Sequence, residues 1–163
     1  MGNVYLDTSF FFGYIENQGG RREEAEKILK YEQELGSVIL TSVLTVNEFC
    51  CGVYDRYRGD ADCEERVAEA IRRIRRIANV YGLNDDVLRR GARIQSAWGA
   101  LYGQRGKGRD RKLRWDSLHL ATAAELKAVR VYAWDDRWHE SPEAELMEVG
   151  EVISPALCPQ LDL

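Results

Sequence analysis

The chain has 163 residues, of which 45% are hydrophobic and 31% are charged, and its formal net charge at pH 7 is −4. This length and composition predict one soluble globular domain, residues 1–163, with a substantial core. No apolar run reaches the length of about 20 residues that a membrane span needs, and no basic stretch followed by a long apolar segment marks a secretory signal. We therefore expect a cytoplasmic protein without a membrane partner. The acidic balance argues against nonspecific coating of nucleic acid, although it permits a local basic surface.

Short apolar runs and helical periodicities alternate along the chain. Apolar runs predict strands over residues 4–6, 38–40, 79–81 and 129–134, and a last edge strand over residues 147–149 and 152–153. Helical patterns predict helices over residues 9–16, 21–35, 43–58, 61–77, 84–101 and 116–127. Strands separated by helices favour an α/β fold with a mainly parallel central sheet of about four to five short strands and helices on both faces.

A glycine-rich basic segment interrupts this pattern at residues 103–112, and we predict a loop there, not a core element. Six basic residues lie in this segment or directly after it: Arg105, Lys107, Arg109, Arg111, Lys112 and Arg114. They precede Asp116, so a loop at this position could hold the backbone of a nucleic acid beside an acidic site. A solvated surface loop explains the same residues equally well.

Four acidic residues lie at positions that suit a shared site. Asp7 and Asp135 follow predicted buried strands, and Glu48 and Asp116 lie in the opening turns of predicted helices. Ligands bind at strand ends in open α/β sheets, and two unit charges ~4 Å apart repel by about 4 kcal/mol at an effective dielectric of about 20. A divalent cation would relieve this repulsion, and oxygen-only ligands suit Mg²⁺ or Mn²⁺. Each acid alone has an ordinary alternative, such as a helix cap for Asp7 or Asp116.

Four segments carry a resemblance to a known family. They are Val4-Tyr5-Leu6-Asp7-Thr8-Ser9, Thr45-Val46-Asn47-Glu48, Asp116-Ser117-Leu118-His119-Leu120-Ala121-Thr122-Ala123 and Tyr132-Ala133-Trp134-Asp135. In this order they resemble PIN-domain ribonucleases, and the nearest likeness is to the toxins of VapBC-type toxin–antitoxin pairs. Ala133 departs from the Thr or Ser that such proteins often carry two residues before the last acid. Asp136 directly follows Asp135, which leaves the identity of the fourth acid open.

The resemblance implies a metal-dependent endoribonuclease that hydrolyses RNA phosphodiester bonds with the help of Mg²⁺ or Mn²⁺. Asp7, Glu48, Asp116 and Asp135 would form its catalytic and metal-binding cluster, and Ser9 would be an auxiliary hydroxyl beside Asp7. The resemblance also implies RNA as the substrate, and it allows an antitoxin protein as a partner and a homodimer as the assembly.

Two other functions remain compatible with the sequence. A catalytically inactive PIN-like protein that binds RNA or serves as a scaffold would keep the same fold. A phosphatase with an aspartyl nucleophile would also place Asp7 after a strand, but Ser9 stands where the common version has a second Asp. His119 lies one helical turn after Asp116. We interpret it as a helix histidine with a hydrogen-bond partner near the pocket, in preference to a general base.

Overall fold

A parallel β-sheet of five strands forms the centre of the molecule. The computed structural model describes residues 2–102, 109–134 and 151–153, and within these ranges the side chains of all residues except 98–102, 109–113 and 151–152. The strands are β1 (Asn3–Leu6), β2 (Val38–Ser42), β3 (Asn79–Tyr81), β4 (Ala128–Tyr132) and β5 (Glu151–Ile153). Their order across the sheet is β3-β2-β1-β4-β5, and all neighbouring pairs are parallel. The predicted α/β architecture is confirmed, and residues 147–149 of the predicted edge strand lie outside the described residues.

Six α-helices accompany these strands in the described part of the chain. They are α1 (Thr8–Glu16), α2 (Arg22–Glu34), α3 (Val43–Arg56), α4 (Cys63–Ile77), α5 (Asp85–Tyr102) and α6 (Arg109–Glu125). The predicted boundaries of the first five agree with the structure within one or two residues. Over the ranges that the structure describes, no helix combines the length and the apolar character that crossing a membrane requires.

The start of α6 contradicts the prediction. We expected a loop through residue 112 and a helix from Asp116, but the helix begins at Arg109. The segment from residue 109 to residue 113 holds no glycine or proline and consists mostly of good helix formers. The last glycine that favours a loop in this stretch is Gly108. Asp116 therefore lies well inside the helix and is not its N-cap.

The two faces of the sheet carry separate hydrophobic cores. Val4 and Leu6 of β1 pack with α1 to α4, while Tyr5 between them packs with α5 and α6, as the alternating direction of strand side chains requires. On the first face, Phe10 is fully buried and its ring centroid lies 5.4 Å from that of Trp134. Burying one such side chain contributes roughly 1.5–3 kcal/mol, so these contacts fix α1 and the segment after β4 against the sheet.

The residues that follow β1 and β4 are directly connected. Asp7 donates its backbone N–H to the carbonyl oxygen of Tyr132 over 3.2 Å, and Trp134 donates its backbone N–H to Ser9 Oγ over 2.8 Å. Because β1 lies between β2 and β4 in a parallel sheet, the carboxyl ends of these three strands form one edge. This edge is where ligands bind in open α/β sheets.

A buried ion pair ties α2 to β4. Glu32 is 1% exposed and accepts two hydrogen bonds from Arg130, each of 2.7 Å, and one from the Tyr132 hydroxyl at 2.6 Å. Burial opposes ionisation of this carboxyl, but the hydrogen bonds from Arg130 and Tyr132 outweigh it and hold the pKa of Glu32 below its usual range. The pair holds the helix and the strand in one relative position.

Candidate active site

An open pocket of about 460 Å³ at the carboxyl edge of the sheet brings together residues that are far apart in the sequence. Its walls include Asp7, which follows β1, Glu48 of α3 and Asp116 of α6. Ser9 and His119 also line it. Three of the four acidic residues singled out in the sequence thus share one pocket.

The other residues predicted for the site are only partly described. Outside the described residues lie Asp135, Arg105 and Lys107, together with the side chains of Arg109, Arg111 and Lys112. Arg114 of α6 is exposed, and it is not among the described residues that line the pocket. Trp134, the last residue described before Asp135, is hydrogen-bonded to Ser9 at the pocket.

Asp7 both caps a helix and lines the pocket. It is the N-cap of α1, and its Oδ1 atom accepts hydrogen bonds from the Phe10 N–H at 3.0 Å and from Ser9 Oγ at 2.7 Å. Its Oδ2 atom hydrogen-bonds to none of the described residues. Asp7 is 6% exposed, and burial raises its pKa to about 6 even though His119 and the two hydrogen bonds favour the ionised form. A cation beside Asp7 would favour the carboxylate, so this environment suits a positively charged ligand.

Glu48 is held by a chain of hydrogen bonds that runs across several elements. His119 Nε2 lies 2.7 Å from Glu48 Oε2, and Thr8 Oγ1 donates to the same oxygen. On the other side of the imidazole ring, Nδ1 lies 2.8 Å from the Tyr5 hydroxyl, which lies 2.9 Å from Ser42 Oγ. The chain links α3 and α6 to the ends of β1 and β2.

These contacts determine the protonation of His119. The ring is 2% exposed and burial alone would lower its pKa, but Tyr5, Glu48 and Asp7 raise it to about 10. The imidazolium donates from both ring nitrogens, to Glu48 Oε2 and to the Tyr5 hydroxyl. A histidine that stays charged at neutral pH is a poor general base. The structure agrees with the interpretation of His119 as a hydrogen-bonded helix histidine near the pocket.

The donor set of the pocket fits a hard divalent cation. Asp7, Glu48 and Asp116 supply carboxylate oxygens, which suit Mg²⁺ or Mn²⁺. No three His, Cys, Asp or Glu side chains among the described residues converge closely enough to enclose an ion by themselves. Mg²⁺ usually keeps several waters and takes only one or two protein carboxylates, so water would complete the coordination of an ion in this pocket.

Sequence reasoning missed a polar wall of the same pocket, formed by Gln18, Arg21 and Arg56. Arg56 forms an ion pair with Glu16 at 2.9 Å, and the Arg21 guanidinium carbon lies 5.3 Å from the centroid of the Trp134 ring. The two glycines directly before Arg21 signal a turn. A sequence pattern does not show which side chains of a turn enter a pocket.

Comparison with known proteins assigns the family. The model of the PIN domain family matches residues 4–143, which is most of the chain. The chain belongs to the PIN domain family. The resemblance carried by the four sequence segments is thereby confirmed. No curated protein gives a significant sequence match to this PIN domain.

Solved structures share the fold of this PIN domain. VapBC2 from Rickettsia felis, bound to a DNA fragment from the promoter, matches with a TM-score of 0.67 at 10% identity, over 93% of this chain and 98% of that one. VapBC-1 from nontypeable Haemophilus influenzae matches with a TM-score of 0.64 at 14% identity, over 94% and 98% of the two chains. VapC20 from Mycobacterium tuberculosis, a sarcin–ricin loop cleaving toxin, matches with a TM-score of 0.58 at 18% identity, over 83% and 92%. At these identities the comparison establishes a likeness of fold.

Proposed function

We propose that this chain is a metal-dependent endoribonuclease that hydrolyses RNA phosphodiester bonds, with residues 1–163 forming a single nuclease domain. The observation that carries the proposal is that Asp7, Glu48 and Asp116 line one pocket at the carboxyl edge of the sheet. His119 pairs with Glu48, and a divalent cation at the carboxylates of Asp7 and Asp116 would offset their negative charge and promote phosphodiester hydrolysis. Family membership and the likeness to a toxin that cleaves the sarcin–ricin loop support RNA as the substrate.

Asp7 and Asp116 would be the principal ligands of a Mg²⁺ or Mn²⁺ ion, and Glu48 and Asp135 would bind a second ion or act through ordered water. When bound, such an ion lowers the pKa of its water and offsets charge on the phosphate. The residues of the chain set the geometry beforehand, because Ser9 fixes one oxygen of Asp7 and His119 fixes one oxygen of Glu48. Both carboxylates are therefore oriented before the substrate arrives, and less reorganisation is needed during the reaction.

We further propose that this nuclease is the toxin of a toxin–antitoxin pair, acts in the cytoplasm and forms a homodimer. Several structures with the same fold are VapBC systems, which supports an antitoxin protein as the partner. We place the subunit interface on the apolar helices between Val43 and Ile77. Sedimentation equilibrium tests the assembly, and a monomer at high concentration would contradict the dimer.

The cleavage test compares purified wild type with Asp7→Asn and Asp116→Asn on a pool of structured RNAs, with Mn²⁺ and with EDTA. Wild type is expected to cut RNA only with the metal. Each variant is expected to lose roughly 100-fold or more in rate, because even outer-shell partners of a metal site are worth about 10–100-fold. The matched control is Asp86→Asn, since Asp86 is an exposed acid of α5 that pairs with Arg89.

The outcomes of this test separate the candidate functions. Unchanged cleavage in both pocket variants would remove the nuclease assignment to this site. RNA that wild type binds but leaves intact in Mg²⁺ and Mn²⁺ would favour the inactive RNA-binding alternative.

A further inference from the structure

The pocket has a second wall whose chemistry differs from that of the acidic cluster. Besides the carboxylates, it is lined by Gln18, Arg21 and Arg56. The guanidinium of Arg56 lies 2.9 Å from Glu16, which also accepts a hydrogen bond from the Tyr57 hydroxyl at 3.0 Å. Arg56 is thus paired with a carboxylate of the same chain and links α3 to α1.

Arg21 carries a positive charge that no described carboxylate neutralises. Its guanidinium forms no ion pair and no hydrogen bond with any residue that the structure describes. It lies over the indole ring of Trp134, 5.3 Å from the centroid, in a cation–π contact. Trp134 is 6% exposed, so the Arg21 guanidinium packs with one side against a buried aromatic ring. The N–H groups of the guanidinium donate no hydrogen bond to any residue that the structure describes.

The turn before α2 gives two consecutive arginines different roles. Three residues of this turn have positive φ angles, between 52° and 72°: Asn17, Gly19 and Gly20. Arg22 is bound within the turn, because its guanidinium donates to two backbone carbonyls near the end of α1, at 3.1 and 2.9 Å. Arg21 instead lines the pocket. The local structure is held by Arg22 and leaves Arg21 available to a ligand.

A short series of contacts connects Arg21 to the acidic cluster. Beneath the Arg21 guanidinium, Trp134 donates its backbone N–H to Ser9 Oγ at 2.8 Å, and Ser9 donates to Asp7 Oδ1 at 2.7 Å. The Arg21 cation and the Asp7 carboxylate are therefore linked through Trp134 and Ser9. An arginine presents a planar fork of N–H donors that matches two oxygens of a phosphate, so a phosphate beside the acidic cluster is the ligand that this arrangement fits.

We propose that Arg21, with Gln18 on the same wall, binds a phosphate of the RNA backbone next to the bond to be cut. The identification of the ligand as RNA rests on the proposed function. The anionic class of the ligand follows from the charge, the stacking and the position of Arg21 itself. Arg21 acts as a substrate-binding residue that positions the strand, while the carboxylates act at the reacting phosphate.

The test measures RNA binding and its dependence on salt. Every protein in the test carries Asp116→Asn so that the RNA is not cut. The probe is a fluorescein-labelled single-stranded RNA of random sequence. Its binding is followed by fluorescence anisotropy in Mg²⁺ over a range of KCl concentrations. Arg21→Gln is expected to lower the affinity about tenfold and to reduce the slope of log affinity against log salt by about 0.7, the value of one phosphate contact to a single strand. Arg21→Lys keeps the charge and is expected to keep the slope.

Arg89→Gln is the matched control, because Arg89 is an exposed arginine of α5 paired with Asp86. It is expected to leave both the affinity and the slope unchanged. An unaltered slope in Arg21→Gln, an equal loss in Arg89→Gln, or a background protein that binds no RNA would overturn the proposal. If Arg21→Gln lowers the salt slope but wild type never cuts RNA, the phosphate-binding site stands and the nuclease assignment is rejected. If wild type cuts RNA but Arg21→Gln leaves the salt slope unchanged, the nuclease assignment stands and the phosphate-binding site is rejected.

Discussion

His119 Nε2 lies 2.7 Å from Glu48 Oε2, which joins two residues that are 71 positions apart in the sequence. The histidine is buried and charged, and its other ring nitrogen donates to Tyr5. Glu48 therefore faces the pocket with one oxygen anchored by a fixed positive charge and by Thr8. The arrangement fixes the direction of the Glu48 carboxylate.

Removing the charge of His119 is expected to destabilise the fold. His119→Leu removes the cation that pairs with Glu48, and we expect a loss of about 1–3 kcal/mol in the free energy of unfolding. This is less than the about 3–5 kcal/mol for breaking a fully buried pair, because the Glu48 side chain is 28% exposed. Urea denaturation of His119→Leu, Glu48→Gln and the double variant gives the coupling energy of the pair. A coupling energy near zero would show that the two residues do not act as a unit.

Ser9 is expected to matter for both stability and activity. Its hydroxyl donates to Asp7 Oδ1 and accepts the backbone N–H of Trp134. Ser9→Ala leaves that N–H without its partner, so we expect a loss of about 1–3 kcal/mol in unfolding free energy and a roughly 10–100-fold loss of RNA cleavage. Ser9→Thr should restore part of both, and Ser96→Ala on the exposed side of α5 serves as the control. Full activity in Ser9→Ala would contradict a positioning role for the hydroxyl.

Glu32 is expected to make the free energy of unfolding decrease at low pH. Its pKa in the folded protein lies below the ordinary value of 4.5, so the folded state favours the carboxylate more than the unfolded chain does. The stability that its pair with Arg130 contributes is complete above about pH 4.5 and is lost as the pH falls through the lower folded pKa. Urea midpoints measured from about pH 7 to about pH 3 should fall more steeply for wild type than for Glu32→Gln, whose amide does not titrate. Parallel curves for the two proteins would reject this account.

Binding of Mn²⁺ is expected to raise the thermal stability of wild type. An ion that binds only the folded state adds about 2.7 kcal/mol at 100 times its dissociation constant. A titration with MnCl₂, followed by differential scanning fluorimetry, should show a rising melting temperature in wild type and in Asp86→Asn, and little change in Asp116→Asn. An equal rise in Asp116→Asn would mean that the ion binds away from the pocket.

The sequence predicted the sheet and the place of Asp7 at the end of β1 because both follow from local patterns. An apolar run followed by Asp7 predicts a strand and its end, and parallel strands gather their ends at one edge. The predicted start of α6 was wrong because the glycines before Arg109 made residues 109–112 look like part of a loop, although they belong to the helix. The pairs Glu48 with His119 and Glu32 with Arg130 are separated by 71 and 98 positions. Their contacts depend on strand register and helix rotation, which no local pattern encodes.

The order in which the pocket is assembled matters while the protein is being made. Asp7 and Glu48 belong to the first third of the polypeptide, whereas Asp116 and His119 are synthesised much later, and β4, which flanks β1, follows them. Most of the chain has to leave the ribosome before these side chains can meet. The acidic pocket, and any metal ion that it would bind, therefore cannot form on the nascent polypeptide until α6 and β4 have left the ribosome.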